Sequence, residues 1–114
     1  MAKYECELYG DFARIYRDID DAVVNGSMSA TREDYSDLSI GDCKCVVTVY
    51  ERYSWMGGNR VSMNVTLMEA DGHIKLSAIT SGGSQAMFFK VNTWGEESFL
   101  ETISEVVEQY RRNY

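Results

Sequence analysis

The feature that most restricts the fold is the run Val61-Ser62-Met63-Asn64-Val65-Thr66-Leu67, in which every odd-numbered residue is apolar and every even-numbered one polar or hydroxylic. A period of two is that of a β-strand with one face buried and one solvated. Asp71-Gly72 follows, a dipeptide suited to a two-residue hairpin turn, and Ile74, Leu76 and Ala78 then alternate again. These residues predict an antiparallel hairpin whose single apolar face has to be covered by something else in the chain.

Two helical stripes supply the cover. Phe12, Ile15, Tyr16, Ile19 and Val23 recur at helical spacing, with Asp11 placed to cap the start and Asn25-Gly26 the end. Near the C-terminus, Phe99, Leu100, Ile103, Val106, Val107 and Tyr110 form a second stripe, and Thr93-Trp94-Gly95-Glu96 has the spacing of a capping box before it. Further strands are expected at Lys3 to Tyr9, where Tyr4, Cys6 and Leu8 alternate with charges, and at Cys43 to Tyr50, with Cys43, Cys45, Val47 and Val49 on the apolar face. Residues 28–38 read as a polar edge strand. Ser81-Gly82-Gly83-Ser84 reads as a hairpin connection, leading to a strand over Gln85 to Val91.

The resulting order is β-α-β-β-β-β-β-α. It predicts one α+β domain over residues 1–114, an antiparallel sheet of about six strands with both helices on one face. The order is similar to that of a short helix-grip domain, in which a curved sheet wraps the C-terminal helix and often leaves a ligand cavity between them. The meander places the 54–59 loop, the 81–84 loop and the Asn25-Gly26-Ser27 link at one end of the sheet.

Charge and cysteine content exclude several classes of function. Eleven basic against eighteen acidic residues give a net charge of −7, which opposes the phosphate contacts of nucleic-acid binding. No apolar run approaches the length of a membrane helix, and the alternating N-terminus lacks the pattern of a secretory signal, so the expected compartment is the cytoplasm. Three cysteines do not make a disulfide framework. With His73 they could supply four zinc ligands, yet His73 leads its strand on the face opposite Ile74 and Leu76 while the cysteines group with apolar residues; no metal site is expected.

Ser84 lies in Gly82-Gly83-Ser84-Gln85-Ala86, which lacks the second glycine of a nucleophile elbow, and the single His73 belongs at the other end of the sheet. The glycines match no phosphate-binding loop. Asp18, Asp20, Asp21, Glu33, Asp34, Asp37 and Asp42 do not fit a calcium loop and are expected to be solvated surface. No catalytic residue and no cofactor is assigned, and the chain is expected not to be an enzyme.

The segments ERYSWMGGNRVSMNVTLME and LSAITSGGSQAMFFKVNTWGEESFL, with the opening MAKYECELYGDF, resemble a small bacterial family known only as a domain of unknown function. The most specific parts are GGNRVS and ITSGGSQA. The resemblance covers almost the whole chain and implies a bacterial, cytoplasmic, stand-alone protein without an established activity.

Two functional expectations follow. The first is a non-enzymatic module that binds a small apolar ligand between sheet and C-terminal helix, with Trp55, Met56, Asn59, Ser81, Ser84 and Gln85 at the mouth. The alternative is a homo-oligomeric interaction module, in which an exposed sheet face or edge makes a homodimer through outward-facing Val46, Tyr50, Met68, Ile79 and Phe88.

Overall fold

A computed structural model describes residues 1–26, 29–54, 59–82 and 89–111. Five strands and two helices follow in the order β1 (Ala2–Leu8), α1 (Phe12–Gly26), β2 (Thr31–Asp37), β3 (Lys44–Ser54), β4 (Asn59–Ala70), β5 (His73–Gly82) and α2 (Phe89–Tyr110). The strands form one sheet in the spatial order β1-β5-β4-β3-β2, antiparallel at every contact. The α+β class therefore stands, and residues 31–37 do form an edge strand.

Local chemistry explains the element boundaries. The Asp11 carboxylate accepts a hydrogen bond from the Arg14 backbone N–H at 3.0 Å, satisfying one of the donors that a helix start leaves unpaired. Ala70 pairs with His73, so Asp71-Gly72 is a two-residue loop, and φ is +54° and +79° at these two positions. Both central residues of a type I′ turn need positive φ, which Asp tolerates and Gly adopts freely. Gly10 turns the chain from β1 into α1 with φ +149°, and a Cβ there would stand 3.2 Å from the Tyr110 ring.

Both helices lie on the face of the sheet formed by Leu8, Ile74, Leu76, Ala78, Val61, Met63, Val65, Leu67 and Tyr50, all buried. Phe12, Ile15, Ile19 and Val23 of α1 and Phe99, Ile103 and Val107 of α2 are buried against them. The two helical stripes and the β4–β5 alternation are as the sequence predicts.

Two expectations are corrected. Of the sixth strand expected at 85–91, residues 89–91 belong to α2 and 85–88 lie outside the described residues, so the sheet has five strands among the described residues. Met87, Phe88 and Phe89 make a continuous apolar run, and such a run fits a helix start as well as a buried strand. For the same reason Thr93 is interior to α2 and does not cap it; Gly95, worth about 1 kcal/mol of lost helix propensity, does not interrupt the helix.

The second correction concerns the orientation of β3. Thr48 and Tyr50 are buried, with Val46 packed against the core, whereas Cys43 is exposed and lies just before the strand. Cys45, Val47 and Val49 occupy the alternate positions and so point away from the helices. Apolar character cannot orient this strand, because both of its faces are rich in it. Polar partners on α1 decide. The Tyr50 hydroxyl donates to Asp20 Oδ1 at 2.8 Å, and the Thr48 hydroxyl donates to the Tyr16 hydroxyl at 3.3 Å.

Candidate interaction surface

Because both helices share one face, the other face of the sheet has no helix over it among the described residues. The strand register defines its surface. One row across the strands contains Glu7, Lys75, Met68 and Cys45; the next contains Glu5, Ser77, Thr66, Val47 and Ser36; the third contains Lys3, Ile79, Asn64, Val49 and Asp34. Within these three rows charge is confined to the outer strands and Lys75, while the middle is built of Ser77, Thr66, Asn64 and the β3 valines; further along the same face Arg60 of β4 donates to Glu51 of β3 at 2.9 Å. Met68 is 44% exposed and Ile79 37% exposed. An uncharged centre within a charged rim is the anatomy of a protein-protein contact.

The face is not flat. A hollow of about 520 Å³ lies over its β1, β5 and β4 portion, with Glu5, Glu7, Thr66, Met68, Lys75 and Ser77 among its lining residues. Ser77 and Thr66 are short, and the longer Glu5, Lys75 and Met68 stand around them. Across β4 from this hollow, the column Cys45, Val47, Val49 presents three apolar side chains in succession on β3.

The residues expected from the sequence fall in several places. Trp55, Met56, Ser84, Gln85 and Phe88 lie outside the described residues. Asn59 opens β4 opposite Ser54, and Ser81 stands beside Ser62 on the open face. Met68 and Ile79 point outward as expected. Val46 and Tyr50 do not: Tyr50 is 0% exposed, and burial together with the Asp20 hydrogen bond pushes its phenol well above the ordinary tyrosine range. Cys45, Val47 and Val49 replace them on the open face. The signal for this lay in pairing Tyr50 with an acid on α1, since a buried phenol needs a polar partner.

The end-of-sheet arrangement matches the expected meander. Ser54 pairs with Asn59, Val61 with Gly82, and Thr31 with Glu51, while the Ser29 hydroxyl accepts from the Tyr53 N–H at 3.2 Å. Arg52 lies at this end on the helix side, its guanidinium 4.8 Å from the centre of the Phe99 ring and 3.1 Å from the Ser98 hydroxyl, which accepts its hydrogen bond. Burial lowers the Arg52 pKa from its ordinary value. Between sheet and helices, the described layer is occupied by Tyr50, Met63, Phe99 and Ile103, each 0% exposed.

The remaining polar candidates are spread over the fold. His73 is at the opposite end, exposed, with Nδ1 3.1 Å from Glu7 Oε2, and this hydrogen bond holds the Glu7 carboxyl below its ordinary range. Cys6 shares the helix-facing side with Leu76, and burial raises its thiol pKa; Cys45 is on the other side. Asp18 and Asp20, expected as solvated surface, instead tie α1 to its neighbours. Asp20 accepts from Tyr50 and from Arg32 Nη1 at 3.0 Å, and Asp18 accepts from the Tyr110 hydroxyl.

No curated protein and no solved structure matches the chain. A family model described as a family of unknown function, DUF6054, matches residues 1–111. The match spans both helices and the whole sheet, and the chain belongs to that family.

Proposed function

We propose that this chain is a non-enzymatic, homo-oligomeric interaction module that self-associates through the open face of its sheet. The observation that supports the reading is the make-up of that face: Met68, Ile79, Val47 and Val49 lie around the uncharged Thr66, Asn64 and Ser77, with Lys75 and the Arg60–Glu51 pair towards the strand ends. A face meant only for water would carry charge throughout, as the exposed strand β2 does. The test is sedimentation equilibrium of the unmodified chain from low-micromolar to near-millimolar concentration. A concentration-dependent dimer is expected, and a monomer over the full range retires the reading.

A second reading is a helix-grip-like module that admits a small apolar ligand at the end where Thr31, Ser54, Asn59 and Gly82 meet. The register that gathers these residues favours it, and Trp55, Met56, Asn59, Ser81, Ser84 and Gln85 remain its candidate contacts. Binding to the folded state would raise the melting temperature by mass action. The absence of any shift with a saturating fatty acid or naphthalene-type probe would count against it.

A further inference from the structure

We infer that the open face is self-complementary: the β3 ridge of Cys45 and Val47 on one copy seats in the Ser77-floored hollow of a second copy, and the reverse. This rests on the self-association reading above and specifies its geometry. The sheet order makes it possible. With β4 central in β1-β5-β4-β3-β2, a twofold axis running along β4 sets β5 of one copy over β3 of the other and β1 over β2.

The register then fixes which residues meet. Val47, Thr66 and Ser77 lie in one row, so Thr66 meets its own copy and Val47 lies over the second copy's Ser77. In the next row Val49 lies over the second copy's Ile79, joining two apolar side chains that β4 separates within one chain. Met68 meets Met68 beside the axis. At the rim, Lys3 of one copy approaches Asp34 of the other, opposite in sign.

Shape supports the same choice. The hollow of about 520 Å³ covers β1, β5 and the near side of β4, and the ridge stands on β3 beyond it. Facing sheets pack about 10 Å apart and within about 30° of parallel. A hollow left open against a flat partner would lose its van der Waals contacts; filled by valine and cysteine it regains them. The other in-plane twofold, perpendicular to the strands, would set Val47 over Val49 but Met68 over Ser62 and Cys45 over Glu51, giving up both the Met68–Met68 and the Val49–Ile79 contacts.

Two measurements test the geometry. In sedimentation, Met68→Glu places two carboxylates beside the axis and should weaken the dimer by about tenfold or more; Ile40→Glu, at a position 79% exposed before β3, should leave it unchanged. In cross-linking, a Val47→Cys chain mixed with a Ser77→Cys chain is treated with a short bis-maleimide, and linked peptides are identified by mass. Links joining position 47 to position 77 can arise only between chains and are expected. A wild-type monomer removes both this geometry and the reading beneath it. A dimer that survives Met68→Glu and yields no 47–77 link overturns the geometry alone, leaving self-association through another surface.

Discussion

Asp20 is the residue on which the orientation of the middle of the sheet depends. It accepts from the Tyr50 hydroxyl at 2.8 Å and from Arg32 at 3.0 Å, linking α1 to β3 and β2 at once. The Tyr50 contact matters more, because that phenol is buried and Arg32 is 43% exposed, where an ion pair is worth little. Tyr50→Phe keeps the ring and removes the donor, and should cost about 1.5–3 kcal/mol, the range for a hydrogen bond to a charged group. Urea denaturation should show a lower midpoint at unchanged slope. Arg32→Ala should fall within about 1 kcal/mol of wild type.

Among the elements, the β4–β5 hairpin was the most legible in the sequence and β3 the least. Val61 to Leu67 alternates without exception, so a shift of one residue would expose its apolar set and only one register survives. The Asp71-Gly72 turn fixes the same register independently. Gly72→Val forces a β-branched residue to φ +79° in open space, so the cost is backbone strain alone, about 1 kcal/mol or more. Melting should show the loss, and Gly72→Asn, which tolerates that conformation, should recover most of it.

The reason β3 resisted is physical. Cys45, Val47 and Val49 on one side are as apolar as Val46 and Tyr50 on the other, and a period-two pattern with no contrast carries no direction. What orients the strand is a contact 30 residues away in sequence, from Tyr50 to Asp20. The start of α2 was hidden differently, by the apolar run at 87–89 that suits either type of element. The candidate surface followed these errors: Met68 and Ile79 were readable from the clean alternation of β4 and β5, while the β3 half required the packing of α1.

At the scale of the whole molecule, each copy carries a net charge of −7, so two copies repel before any surface meets. In the proposed dimer the contact is made chiefly by Met68, Thr66, Val47, Val49 and Ile79, and the exposed Lys3–Asp34 rim pairs are worth little by comparison. Added salt screens the long-range repulsion without weakening apolar contact. Self-association should therefore tighten as sodium chloride is raised from low to moderate concentration, which sedimentation at two ionic strengths will show. A dimer held chiefly by ion pairs would loosen instead. The edge strand β2 bears on the size such an assembly can reach. Its register slips between Arg32 and Asp34, and all seven of its residues are exposed, Glu33, Asp34 and Asp37 among them. A twofold contact consumes the same patch on both copies, so a third copy would have to join by strand addition at an edge, and on the β2 side it meets a bulge and a row of carboxylates. On its β2 side the proposed dimer would thus resist growth by strand addition, where a regular edge in the same position would invite it.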